Sequence, residues 1–314
     1  MMCRYFHRVV YMGIIYICYQ VLMSMVQLTN TCMPDLHYGK HLVGSTFMIT
    51  EKSSLFSCAA ECVSHGICKS FNFQSDQRVC HLNIFDGIQY LEGGKDLNYI
   101  YSSITRWNKT ALGPCHENTC GYTQRCNIKR NGIVDCEDYL ASVAKGKTTN
   151  ASSYFRNSPS SVAVDGDINA VWSVGSCFAV ANGDHSPWWQ VDLAVIYAIV
   201  EVRVTSRQDC CPQRLHDFAL DVYHVDPLVD PTASSQLCYM YNGAVTQPGK
   251  TVAIQCTSTV IGRYLRISGK KTMNNQDILQ FCEVQVFGVK LCGHLTSQQP
   301  SDLYSSQTFR IQIQ

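Results

Sequence analysis

Charge is scarce in this chain. Only 16% of its 314 residues are Asp, Glu, Lys or Arg, and the formal net charge is +1. A near-neutral chain carries no electrostatic footprint for nucleic acid. Catalytic motifs are missing as well. There is no G-x-S-x-G, no H-E-x-x-H and no carboxylate pair of identifiable geometry, and the ten histidines are scattered without spacing. These absences argue against an enzyme. Cysteine, by contrast, is abundant. Its 18 copies are too many for a reduced cytosolic protein and place the chain in an oxidising compartment.

The length suffices for two or more domains. Arg4, His7 and Arg8 precede an apolar run from Val9 to Val26, a basic n-region followed by a hydrophobic h-region. The run is long for a cleaved signal and slightly short for a span of about 20 residues. Residues 1–26 therefore read as a signal peptide or as an uncleaved signal anchor. The remainder lies outside the cytosol in both cases, either secreted or as the extracellular C-terminal part of a type II membrane protein. Residues 293–314 are polar and rich in Ser and Gln, and read as a flexible tail.

Residues 143–292 carry the alternation of strands. Val200, Val202 and Val204 alternate with Glu201, Arg203 and Thr205, the period of two of a half-buried strand. Phe218, Leu220 and Val222 alternate likewise, as do Leu265 with Ile267 and Val284 with Val286, and Trp188 to Leu193 gives another strand. Short strands separated by Gly, Pro, Asn and Asp predict a mainly β chain dominated by an antiparallel, jelly-roll-like β-sandwich.

One strand runs directly into Arg207-Gln208-Asp209-Cys210-Cys211-Pro212-Gln213-Arg214. Adjacent Cα atoms lie about 3.8 Å apart, below the usual ~4.4–6.8 Å of bonded half-cystines. Cys210 and Cys211 thus pair with each other only in an eight-membered ring, or each pairs elsewhere. Paired together, they present a flat sulfur patch flanked by two guanidinium forks. Such forks suit fixed recognition of neighbouring oxygens, as on the hydroxyl rim of a sugar.

Two smaller modules precede the sandwich. In residues 32–104, Cys58, Cys62, Cys68 and Cys80 frame a Ser54-capped helix with Leu55, Ala59, Cys62 and Val63 on its apolar side, then a strand holding Phe71 and Phe73. The C-x3-C-x5-C-x-S-F-N-F run resembles the PAN/apple family, a small α+β domain. The resemblance implies Cys58–Cys80 and Cys62–Cys68 bridges, and a module that binds proteins or glycans. Cys115, Cys120, Cys126 and Cys136, within 112–140, look like a truncated EGF-like unit. That likeness implies Cys115–Cys126 and Cys120–Cys136. About 25 residues bury no core of their own, so disulfides must hold this linker module. Asn108 and Asn150 fit N-glycan acceptors, and both are expected at joints between modules.

The sandwich segment carries a further resemblance. Ala163-Val164-Asp165-Gly166-Asp167, Gly175-Ser176-Cys177, Pro187 to Leu193, the Arg207–Arg214 run, Ile261 to Tyr264 and Phe281 to Val284 follow in order. Together they are similar to the fucolectin (F-type lectin) family, a branch of the discoidin-type sandwiches. The resemblance implies that Arg207 and Arg214 hydrogen-bond a fucose while a Cys210–Cys211 disulfide packs against it. It implies that Asp209 orients the guanidinium groups and that Trp172 stands beside the sugar's methyl group. It also implies a structural calcium held by the Val162 carbonyl, Asp165, Asp167, Ser176, the Cys282 carbonyl and Glu283. Oxygens from several loops are what such a hard cation takes. Cys177–Cys282 and Cys238–Cys256 complete the implied bridges, which leaves Cys32 and Cys292 to pair together or to link chains.

One family feature is missing. The histidine upstream of the first arginine would fall near Ala179 or Val180, and the next candidate, His185, lies further along an extended loop. The expectation is a secreted, calcium-stabilised protein that recognises fucose or a related sugar on glycans, and that self-associates as such lectins often do. The competing expectation is an extracellular adhesion or scaffold protein that kept the sandwich and lost the sugar, with its apple-like module contacting other proteins.

Overall fold

The computed structural model of the protein describes residues 34–93, 97–117, 120–156, 158–269 and 278–290. The N-terminal apolar run, Cys32, Cys292 and the polar tail lie outside these residues. Among the described residues no helix is long and apolar enough to cross a membrane. The contacts divide the chain into two compact units, one drawn mainly from residues up to Asn118 and the other mainly from Thr119 onward.

The first unit is a small α+β domain. Its strands are β1 (Leu36–Tyr38), β2 (Lys40–Leu42), β3 (Thr46–Glu51), β4 (Ser70–Gln74), β5 (Val79–Asn83), β6 (Leu91–Gly93) and β7 (Tyr99–Ser103). They form an antiparallel sheet in the order β1-β7-β4-β5-β3, with β2 paired to β6. Helix α1 (Leu55–Ser64) begins where Ser54 and Ser57 each accept the other's amide proton, a reciprocal cap that satisfies two orphan N–H groups. Its buried side holds Cys58, Ala59, Cys62 and Val63. Cys58 is bonded to Cys80 on β5, and Cys62 to Cys68 just beyond the helix. The alternation in β4 suggests one open face, yet all five of its residues are buried. Asn72 tolerates this because its amide exchanges two hydrogen bonds with the backbone of Leu42.

The second unit opens with a hairpin of β8 (Gln124–Ile128) and β9 (Val134–Asp138), which puts Cys126 opposite Cys136. Cys136 is bonded to Cys120, and Cys115 and Cys126 are each disulfide-bonded. The sandwich follows: β10 (Thr148–Ala151), β11 (Phe178–Ala179), β12 (Trp188–Thr205), β13 (His216–Tyr223), β14 (Ser235–Ala244), β15 (Thr251–Gly269), β16 (Gln280–Phe281) and β17 (Glu283–Lys290). The main sheet runs β10-β12-β15-β13-β14, with β17 also on β12 and a short β11-β16 pair beside it.

Two stretches that read as separate strands, Trp188–Leu193 and Val200–Val204, are one strand of 18 residues. The register against β15 shifts between Asp192 and Tyr197 and again between Ile199 and Glu201. At the first shift Ala194 takes a left-handed φ of 71°, and its amide is held by the Asp192 carboxylate. A bulge of this kind bends the strand. Its first part thereby pairs with β10 and its second with β17. Trp189, Val191, Val202, Val204, Leu220, Leu265, Ile267, Val284 and Val286 meet in one buried cluster. The outer face of the second part is covered rather than open. Glu201 is only 2% exposed, and Arg203 donates to both its carboxylate and the Thr123 hydroxyl.

Asn108 is exposed at the start of a short turn. Asn150 corrects the expectation of a joint between modules. It sits within β10, opposite Gln190, exposed on the edge of the sandwich sheet.

Candidate sugar-binding rim

The Arg207–Arg214 loop leaves β12 at Thr205 and re-enters the sheet in β13 at His216. Neighbouring loops brace it on two sides. The Gln208 amide donates to the Ala170 carbonyl at 2.7 Å, and the Gly249 amide donates to the Arg207 carbonyl. Cys210 and Cys211 are bonded to each other and half-buried. Cys211 stands at a φ of 57° and starts the tight turn Pro212–Arg214. That left-handed residue turns the chain sharply between the two arginines.

Arg207 is fixed in place. Its Nε and Nη2 donate to the two carboxylate oxygens of Asp209 at 2.7 and 2.9 Å, a bidentate fork. The guanidinium beside it pulls the Asp209 carboxyl down to about 2. Asp209 also accepts the Trp172 amide, and the Arg207 guanidinium lies 5.0 Å from the centre of the Trp172 ring. Arg207, Asp209 and Trp172 therefore form one locked group, with Trp172 half-buried between surface and core. Arg214 departs from the expected arrangement. Asp209 orients only Arg207, whereas Arg214 Nη1 donates to Gln280 Oε1 at 3.3 Å.

Gln280 drew no notice in the sequence. It is paired with Ala179 across the β11-β16 ladder, and side chains of directly opposed residues share a face. A buried glutamine, 2% exposed, thus stands beside the position where the family's histidine would fall. Ala179 and Val180 are fully buried, and His185 is on an exposed loop. That loop is anchored by Asp184, whose carboxylate accepts from the Ser152 and Ser153 hydroxyls and the Ser186 amide.

Of the residues assigned to calcium, Asp165 and Asp167 lie near Glu283. This carboxyl is 2% exposed, and its Oε2 has no hydrogen-bond partner. Burial, then the nearby charges of Asp165 and Asp167, push it up to about 8 against an opposing hydrogen bond from the Gly166 amide. Ser176 is buried and directs its hydroxyl to Asp167, and the Cys177–Cys282 bridge ties the two loops. Asp165 and Asp167 are exposed, with one oxygen each accepting a backbone amide two residues on. No three His, Cys, Asp or Glu side chains among the described residues form a metal-holding group. The orphaned oxygen and its acidic neighbours nonetheless fit a hard cation, provided the carbonyls and the hydroxyl complete the donor set.

Residues 162–267 match the model of the NedA-like, galactose-binding domain family, and residues 32–104 match that of the PAN domain. Fucolectin-1 of Anguilla japonica is 33% identical over 124 residues, 40% of this chain and 65% of the relative. The chain spans 61% of the same species' Fucolectin-5. A crystal structure of an F-lectin from striped bass serum is 27% identical over 48% of this chain and 50% of that one, with a TM-score of 0.43. Fucolectin of Anguilla anguilla is 30% identical over 146 residues, 45% of this chain and 87% of the relative. With most of that relative's length matched at this identity, the chain belongs to the fucolectin family.

Proposed function

We propose that the sandwich is a calcium-stabilised carbohydrate-recognition module that binds fucose or a closely related sugar on glycans outside the cytosol. The observation that carries this reading is the locked Arg207–Asp209–Trp172 group beside the half-buried Cys210–Cys211 pair. Arg207 has both fork contacts to Asp209 on one edge, which leaves N–H groups on its other edge for sugar oxygens. The disulfide offers an apolar surface to the sugar's C–H face, and Trp172 extends that surface. Membership of a family of lectins supports the same role and speaks against catalysis.

Calcium would be held by Glu283, Asp165, Asp167, the Ser176 hydroxyl and the Val162 and Cys282 carbonyls. It would add positive charge to an acidic cluster that otherwise has only Lys145 nearby. The chain's own part is to keep the loops of Asp165 and Ser176 tied to β17 through Cys177–Cys282. In this reading the chain is extracellular, its PAN domain contacts proteins or glycans, and self-association multiplies sugar sites.

The second reading, a scaffold that retained the fold without the sugar, is favoured by one feature. Neither Ala179 nor Val180, where the family's histidine would fall, is a histidine, and Gln280 engages Arg214. Loss of one hydrogen bond to a charged group costs about 1.5–3 kcal/mol, roughly tenfold to over a hundredfold in affinity. A fucose-affinity column in calcium separates the readings. Retention with elution by free fucose supports recognition, and flow-through supports the scaffold.

A further inference from the structure

A shallow, open cleft on the sandwich is lined by Tyr154, Arg156, Ser158, Pro159 and Ser160. Its wall is built of buried serines with fixed partners. Ser158 donates to the Cys177 carbonyl, the Ser160 hydroxyl accepts from Thr149, and the Ser160 carbonyl accepts from the Trp189 indole. Tyr154 is 44% exposed, with its ring edge-on to the buried Phe178.

Arg156 is the chemical feature of this cleft. It is exposed and stands at a left-handed φ of 51°, a conformation that costs a non-glycine residue energy and recurs at functional positions. Its guanidinium lies 5.1 Å from the Phe155 ring centre, and no carboxylate among the described residues pairs with it. The carboxylate this loop does hold, Asp184, is occupied by Ser152, Ser153 and Ser186.

The cleft connects to the rim through aromatic rings. Phe155 meets Trp172 edge-on at 5.9 Å, and Trp172 lies under Arg207 at 5.0 Å. The order is cation, ring, ring, cation, with every step under 6 Å. Phe155 and Trp172 are partly buried against the core, with Arg156 and Arg207 at the two ends of this series of contacts.

We propose that the cleft is a second subsite, in which Arg156 binds an anionic substituent, a sulfate ester or a carboxylate, on the glycan whose terminal sugar occupies the rim. This rests on the sugar-binding reading above. Guanidinium forks match both kinds of oxyanion. The subsite would restore affinity that the missing histidine removes from the first sugar alone.

The test is calorimetric titration with three versions of one fucosylated oligosaccharide: neutral, sulfated and carboxylated. Full-length wild type is compared with Arg156→Ala and Arg156→Lys, each checked for an unchanged melting temperature. At least one charged version should bind wild type about fivefold or more tighter than the neutral one. Which one it is identifies the anion. That preference should fall to near unity in Arg156→Ala, survive in part in Arg156→Lys, and shrink in wild type as salt is raised. Equal binding of all three versions by wild type, or a preference that persists in Arg156→Ala, overturns the subsite while leaving the rim intact. Failure of wild type to bind any version overturns the rim reading and the subsite with it.

Discussion

At the scale of single residues, the rim depends on how Arg207 is held. Asp209 takes two of its N–H groups and Trp172 supports its face, so the fork is presented without searching rotamers. The Asp209 carboxyl titrates at about 2, below the ordinary value of 3.8. A depressed carboxylate contributes its stabilisation fully above the unfolded value and loses it as pH falls through the folded one. The stability that this fork contributes should therefore hold from neutral pH down to about 4 and fade between there and about 2. Melting temperatures across that pH series, with Asp209→Asn as control, check this. In the variant, stability should already be reduced at pH 7. The arginines and the cysteine pair could be read from spacing alone, because the chemistry lies within eight consecutive residues. Gln280 could not, since its role exists only through the ladder that sets it opposite Ala179, about a hundred positions away in sequence.

At the scale of elements, loops carry function and long strands position them. Residue alternation exposed the strands but not their continuity. Nothing in the alternation tells that Trp188–Leu193 and Val200–Val204 belong to one strand bent at Ala194. Burial of outward residues was equally hidden, as Glu201 and Asn72 show. Both read as solvent-facing by period, and both are covered and hydrogen-bonded. The Glu283 cluster gives this scale its prediction. Calcium at a hundred times its dissociation constant adds about 2.7 kcal/mol to stability, or about 5–10 °C in the melting temperature of a domain of this size. Scanning calorimetry of wild type should show that rise, reversed by chelator, and Glu283→Gln should not. In chelator the variant should melt no lower than wild type, because an uncompensated buried carboxyl has been removed.

At the scale of the whole molecule, a PAN domain precedes a fucolectin sandwich in one disulfide-rich chain. Fourteen disulfide-bonded cysteines among the described residues suit an oxidising compartment, and the spacing of Cys58, Cys62, Cys68 and Cys80 made the first module legible, whereas strand alternation did so for the sandwich. With no histidine at Ala179 or Val180, each rim alone should bind free fucose weakly. Linked sites gain from effective concentration. Full-length protein should therefore be retained on a densely fucosylated surface and released quickly from a sparse one, as surface plasmon resonance at two densities would measure. Equal dissociation at both densities would argue for a single independent site.

The most direct test of the rim is a titration of fucose into full-length wild type and Arg207→Ala in calcium. The wild type should give a saturable isotherm, and the variant should lose at least tenfold in affinity at unchanged melting temperature. A flat wild-type isotherm, or identical isotherms for both proteins, would contradict the assignment.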